Sequence, residues 1–216
     1  MIYILLAIAL LGILTYAISR GSRVSTNSLT SDKARIAANE IIDYAQTVAG
    51  VVQALRLRGC SETQISFESS ETGSDYTNAG APSDNSCHVF NMGGGKLNWL
   101  SSTSDSANGI SGFSGNYKIT NIGDADKAEL IYVYAPVSKE TCININQKLG
   151  ITNPDDEPPS NDTVGTAIKF TGSYDDAGAI IVGNNGEETV FAGKTAACFD
   201  GPPAGFYYFY QVLLAR

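Results

Sequence analysis

The sequence predicts an α+β protein in which a long N-terminal α-helix packs on an antiparallel β-sheet domain with disulfides. Three observations predict this class. The first eighteen residues carry no charged side chain, and apolar residues then recur at helical spacing up to Leu55. The rest of the chain alternates short β-rich segments with turn residues, and it contains four cysteines.

Residues 1–18 predict an apolar helix that belongs in a membrane or in the core of a filament. The run MIYILLAIALLGILTYAI is about as long as the ~17–25 residues that cross a hydrocarbon core. A secretory signal would carry a basic segment before this run and a cleavage site after it. The run begins at Met1 without a basic segment. We therefore expect a chain whose basic leader is absent or already removed.

Two further segments follow the apolar run. Residues 19–31 are rich in Ser and Thr and include Gly21, so they predict a weak or unwound hinge between two helices. Residues 32–58 predict an amphipathic helix that ends before Gly59. We expect its C-terminal half to pack on its own domain and its N-terminal half to face neighbouring subunits. The residues that share its apolar face are Ala34, Ala38, Ile41, Ala45, Val48, Val52 and Leu55.

Residues 59–216 predict a globular, mainly β domain. Ser138 and Gly150 are suited to cap one short helix within it. The predicted strands are Gln64–Glu68, His88–Asn91, Tyr117–Ile122, Glu129–Val137, Ala167–Thr171, Ala179–Val182, Glu188–Ala192 and Phe206–Leu214.

The four cysteines predict two disulfides in an oxidising compartment outside the cytoplasm. Three connectivities are open, and sequence order favours Cys60–Cys87 and Cys142–Cys198. A zinc site is disfavoured because no cysteine has a partner two to four residues away and the chain has one histidine.

Composition and motifs argue against the common catalytic and binding functions. A net charge of −8 makes a nucleic-acid partner improbable. Cys87 and His88 would point to opposite faces of a strand, which is poor geometry for nucleophilic catalysis. Asp124, Asp126 and Glu129 lack the spacing of an EF-hand and predict a solvated acidic loop rather than a calcium site. We expect no cofactor, no metal and no enzymatic activity.

Together, the apolar N-terminal helix, the polar hinge, the amphipathic helix and the late cysteine pair resemble the type IV pilin and pseudopilin family. The Cys142–Cys198 pair is placed like the C-terminal disulfide loop of this family, and CININQKLG resembles a segment of type IVb-like pilins. The resemblance implies assembly through residue 1 and the N-terminal helix. Leu5 stands where the family has a glutamate that pairs with a neighbouring N-terminus, and Met1 replaces the usual Phe. The expected assembly residues are Met1, Leu5, Ala7, Ala9, Gly12 and Ala17.

The resemblance implies a structural subunit of a helical filament of identical chains. We expect the chain to be stored in the bacterial inner membrane and to bind the pilus or secretion assembly machinery. It would then be assembled into an extracellular pilus with a methylated N-terminus. Its outer domain would serve adhesion and other surface contacts. One alternative is a pseudopilin of a type II-like secretion system. Another is a monomeric membrane-anchored binding module in the periplasm.

Overall fold

The computed structural model of the chain describes residues 2–100, 110–161, 167–183 and 186–216. Within these ranges, the side chains of residues 2–10, 14, 17–29, 110, 111 and 186–188 lie outside the description. The elements are α1 (Ile2–Leu57), β1 (Ile110–Ile119), β2 (Glu129–Val137), α2 (Lys139–Leu149), β3 (Ile180–Val182), β4 (Ala196–Gly201) and β5 (Phe206–Leu214).

The five strands form one sheet in the order β3-β1-β2-β5-β4. Every neighbouring pair is antiparallel except β1 and β3, which are parallel. The sheet is therefore mainly antiparallel, as predicted, with one parallel pair at its β3 edge. Alternate residues of β2 enter two different cores: Leu130 and Tyr132 face the helices, whereas Ile131 faces a second core with Phe191 and Tyr210. The sheet is thus buried on both faces, as its apolar sequence requires.

The part of α1 from Thr30 to Leu57 packs on the domain. All seven residues of the predicted apolar face are buried, and this segment contacts α2 and β5. The structure therefore confirms an α+β fold with a helix of this shorter length against the sheet. The prediction that this segment and an apolar N-terminal half form one long helix and act together stays a prediction.

The backbone of α1 is helical through residues 19–31, where the sequence predicts a hinge around Gly21. The structure therefore has no unwound hinge at these residues. Hydroxyl side chains do not by themselves end a helix, because they can bond to the preceding turn. Thr47 Oγ1 does so, donating to Asp43 O at 2.7 Å. The side chains around Gly21 lie outside the description, so mechanical weakness there remains a prediction.

Among the side chains that the structure describes, no helix has the length and apolarity needed to cross a membrane. The predicted membrane helix, residues 1–18, falls largely on side chains outside the description.

The strand predictions succeed where apolar alternation is long. The ranges of β2 and β5 are as predicted, and β3 lies within its predicted range. The strand predicted over residues 188–192 is wrong, because the structure has a 3₁₀ helix at Gly186–Phe191. Three further predicted strands, at residues 64–68, 88–91 and 167–171, form only isolated bridges, Ser66 to His88 and Ser114 to Lys169. Short segments of this kind depend on their tertiary neighbours for pairing.

Strand β1 begins seven residues earlier than predicted. The prediction missed this part because Gly112 and Gly115 are residues that weaken a strand pattern. The structure gives Gly115 a different role. A Cβ atom at this position would lie 2.9 Å from Phe170 Cδ2 and 2.9 Å from Ser173 O. Glycine therefore lets the segment after residue 167 cross close to the strand, and this crossing could not be predicted from local sequence.

Helix α2 is joined to the edge of the sheet by one buried amide. The predicted caps are present: Ser138 accepts a hydrogen bond from Thr141 N, and Gly150 ends the helix. The side chain of Asn146 is fully buried. Its Nδ2 donates to Cys198 O at 2.9 Å, and its Oδ1 accepts from Cys198 N at 2.9 Å. Asn146 thus pairs with β4 as a neighbouring strand would.

We predict that Asn146→Ala lowers the free energy of unfolding by about 2–4 kcal/mol, because both backbone groups of Cys198 lose their partner while buried. Urea unfolding followed by the fluorescence of Trp99, the single tryptophan, measures this. Asn144→Ala is the matched control, since Asn144 bonds only to Glu140 O within its own helix. Equal losses in the two variants would contradict this role of Asn146.

Candidate assembly surface

The N-terminal part of α1 presents large apolar side chains without cover from the domain. Leu11, Ile13 and Tyr16 are 65%, 66% and 62% exposed. Their positions lie on different sides of a helix with 3.6 residues per turn. The described part of this segment is therefore apolar around its circumference, which is typical of a helix that is covered by something outside its own domain.

Thr15, which is polar, and Gly12, which is small, lie in the same segment and do not interrupt its apolar surface. Thr15 Oγ1 is within hydrogen-bond distance of Leu11 O at 2.9 Å and Gly12 O at 3.0 Å. Its hydroxyl is thereby satisfied within the helix. Gly12 has open space beside it, because a Cβ atom there would meet nothing within 4 Å. The surface at Gly12 can thus be approached closely by another helix.

Most of the predicted assembly residues are not described at the side-chain level. Met1 lies outside the described residues. The backbone of Leu5, Ala7, Ala9 and Ala17 is helical, and their side chains lie outside the description. Of the predicted set, only Gly12 has described surroundings. The roles of the other assembly residues stay predictions.

The N-terminal half of the amphipathic helix belongs to its own domain. Ala34 is 3% exposed, and Ala37 and Ala38 are completely buried. The expectation that this half faces neighbouring subunits is therefore wrong for its apolar face. Its small side chains instead let α1 approach its own sheet and α2 closely. The opposite side, which includes Ile36, is exposed.

The two disulfides have the connectivity that sequence order favours. Cys60 pairs with Cys87 and Cys142 pairs with Cys198, with Cα atoms 5.8 Å and 5.3 Å apart. The first holds the segment after α1, and the second joins α2 to β4. Because they close loops with sequence separations of 27 and 56 residues, each contributes an estimated ~3–5 kcal/mol by restricting the unfolded chain.

Inside the loop closed by Cys60–Cys87, the side chain of Asn78 bonds to backbone groups that no regular secondary structure pairs. Its Nδ2 donates to Thr63 O and to Ile65 O, each at 2.8 Å, and its Oδ1 accepts from Gly80 N at 2.9 Å. The side chain thus uses most of its hydrogen-bonding capacity on the backbone. No sequence signal indicates this role, since an asparagine two residues before a glycine is typical of a turn.

A second feature that the sequence does not reveal is the cluster around Arg216. Its guanidinium lies 3.8 Å from the centre of the Tyr174 ring. Its Nε is 3.3 Å from Glu62 Oε1, and its Nη1 is 3.1 Å from Asp176 Oδ1. Hydrogen bonds and nearby cations hold the pKa of Asp176 below its ordinary value, and the largest contribution is the bond from Ala128 N. Arg216 thus connects the end of β5 to two other segments, one at Glu62 and one that contains Tyr174 and Asp176.

A cavity of about 290 Å³ lies beside the N-terminal half of β1. Its walls include Tyr76, Trp99 and Phe113, and the ion pair Lys169–Asp75 lies at its rim. The Phe113 ring also stacks on Phe67, with centroids 3.8 Å apart. The cavity is therefore the open side of the aromatic core.

The candidate catalytic and metal-binding residues are not assembled into a site. Cys87 is in a disulfide, and His88 forms a backbone bridge to Ser66. Among the described residues, no group of three His, Cys, Asp or Glu side chains could hold a metal ion. Asp124 and Asp126 are exposed as predicted, whereas Glu129 is fully buried, so its assignment to a solvated loop is wrong.

Comparison with known proteins finds no relative of the chain. No family model matches the chain, and neither the curated proteins nor the solved structures give a match.

We predict that Ala38→Leu lowers the free energy of unfolding by about 1–3 kcal/mol, because a larger side chain overfills the contact between α1 and the domain. Asn39→Leu places the same side chain one residue further on, at an exposed position, and should change stability by less than about 0.5 kcal/mol. Urea unfolding of both variants measures the difference. Unchanged stability in Ala38→Leu would contradict the packing described for this face.

Proposed function

We propose that the chain is a structural subunit of a type IV pilus-like extracellular filament and not an enzyme. The observation that carries the proposal is the division of α1. Its later part buries an alanine- and valine-rich face in the domain, whereas Leu11, Ile13 and Tyr16 are left largely exposed. The proposal assigns the exposed part to contacts outside the domain.

The free energy that favours such contacts is substantial. Removing apolar surface from water gains about 25 cal/mol per Å², which is about 1.5–3 kcal/mol for a fully buried large side chain. Three large apolar side chains in one short segment of the helix, each more than half exposed, therefore favour any partner that covers them. A lipid bilayer would cover them before assembly, and the same helix of neighbouring subunits would cover them in a filament.

Close packing of identical helices supplies a route from membrane to filament. Small residues let helix backbones approach, and the open side of Gly12 leaves room for such an approach. Ala7, Ala9 and Ala17 have the same small size. A contact between unlike surfaces of identical subunits that does not close produces a helical fibre. With Leu5 in place of a glutamate, apolar packing rather than charge pairing would set the register.

The globular domain would form the outer surface of this filament. Its two disulfides suit an oxidising environment outside the cytoplasm. The proposed partners are other copies of the chain, the bacterial inner membrane before assembly and the assembly machinery. The surface domain would carry adhesion or other contacts, and the charge of −8 disfavours nucleic acid as a partner.

Mass spectrometry of filaments sheared from the cell surface tests the proposal. A filament made of this chain, with an N-terminal peptide that begins at Met1 and carries a methyl group, is the expected result. A chain found only in a cell-envelope secretion complex would favour a pseudopilin. A monomer that stays in the membrane would contradict assembly and favour the anchored binding module.

We predict that Gly12→Leu lowers the amount of the chain in sheared filaments at least about tenfold, because a side chain at Gly12 blocks close helix approach. A loss of about 1.4 kcal/mol in the contact is sufficient for this change. The amount in the membrane fraction should stay the same, since leucine is apolar. Ile13→Leu is the matched control and should assemble normally. Normal filaments from Gly12→Leu would show that this side of α1 is not an assembly contact.

A further inference from the structure

The carboxyl group of Glu129 is buried where the β1–β2 turn meets the end of β5. Glu129 is the first residue of β2 and is 0% exposed. It is paired with Tyr117 in the last regular rung between β1 and β2, and the next residue, Leu130, is paired with Leu214 of β5. The carboxyl group therefore lies inside the sheet end and not in the turn that precedes it.

The two carboxyl oxygens of Glu129 are in different situations. Oε2 accepts a hydrogen bond from Ile119 N at 3.0 Å and so adds one rung beyond the regular β1–β2 ladder. Oε1 is buried and has no hydrogen-bond partner among the residues that the structure describes. An ionised carboxylate in this position would have one oxygen without compensation, which is costly in a protein interior.

The turn and the end of the chain lie directly against this group. Gly123 has a positive φ of 59°. A Cβ atom there would lie 2.3 Å from Arg216 O and 3.2 Å from Glu129 Oε1. Asp124 N also donates to Arg216 O. Access of water to Oε1 would therefore require the turn and residue 216 to move apart.

Nearby cations do not neutralise Glu129 directly. Lys118 of β1 and Arg216 are the cations whose charges reach it, and neither donates a hydrogen bond to its unpaired oxygen. Arg216 is instead engaged with Glu62, Asp176 and Tyr174. Two phenols are further titratable neighbours: Tyr117, which is paired with Glu129 on β1, and Tyr210 on β5, which donates to Lys194 O at 2.9 Å.

We propose that Glu129 is a proton-dependent latch: its protonated carboxyl closes the β1–β2 turn onto the end of β5, and loss of the proton loosens this closure. The proposal does not depend on the proposed filament function. Protonation removes the buried charge and keeps the bond from Ile119 N. Ionisation favours opening of the turn, because water can then reach Oε1.

The titration of Glu129 gives the direction of the effect. Burial raises its pKa from an ordinary value of 4.5 to about 7, against the opposing effects of the Ile119 N–H and the two cations. The folded chain thus holds a proton that the unfolded chain releases between pH 4.5 and pH 7. The stabilisation is fully present below pH 4.5 and is lost as the pH rises through 7.

Urea unfolding of the full, disulfide-bonded chain in a mild detergent, followed by Trp99 fluorescence at pH 5 and pH 8, tests the latch. The unfolding equilibrium constant of the wild type should rise about 10- to 100-fold over this interval, and most of the rise should disappear in Glu129→Gln. Glu68→Gln, at a partly exposed glutamate, should keep the rise. A wild type whose stability is constant or increases from pH 5 to pH 8 would overturn the proposal.

Hydrogen exchange of the wild type gives a second readout that does not need a folded variant. After correction for the intrinsic pH dependence of exchange, the amides of Ile119 and Asp124 should lose protection between pH 6 and pH 8. The amides of α2 should lose less protection, at most by the factor through which the global unfolding equilibrium constant rises. Equal changes in both regions would also overturn the proposal, because they would indicate a general loss of stability instead of a local opening.

Discussion

The contact of the alanine- and valine-rich face of α1 with β5 and α2 is the constraint on which the rest of the structure depends. Small side chains such as Ala38 and Ala45 are fully buried there, so the helix lies close to the sheet. Gln53 Nε2 adds a hydrogen bond to Leu213 O at 2.9 Å. Once this face is used within the domain, it is no longer free for another subunit. The part around Leu11, Ile13 and Tyr16 is described apolar surface of the helix that the domain does not cover.

The edges of the sheet favour the same route of association. The outer side of β4 is occupied by the amide of Asn146 and, further along, by the backbone of residues 159–161 bonded to Asp200. At the opposite side of the sheet, β3 pairs only with residues 117–119 of β1, and in the part of β1 before them Phe113 N donates to the hydroxyl of Tyr76. Sheet edges that are covered in this way resist strand addition by another chain. Association in the proposed filament would therefore proceed through the helix, while the domain stays a separate unit.

The sequence predicted the parts of the fold that follow from long, regular patterns, and it missed those that depend on single buried polar groups. The spacing of Ala34 to Leu55, the alternation of β2 and the caps of α2 are local signals. Strand β4 is short and contains two alanines, so its pairing depends on β5 and on Asn146. Glu129 looks like part of an acidic turn until the approach of residue 216 buries it. The candidate assembly surface was predictable only as an apolar segment, because the partners proposed for it lie outside the chain.

The division of α1 between the domain and an outside partner is tested most directly by deleting residues 1–29. The free energy of unfolding of the shortened chain should agree with that of the full chain in detergent to within about 1 kcal/mol, since the buried face begins at Ala34. The shortened chain should also remain monomeric in aqueous buffer. A loss of several kcal/mol would show that residues 1–29 support the domain. Continued self-association would show that the domain itself carries the main contact, and either result would contradict the division.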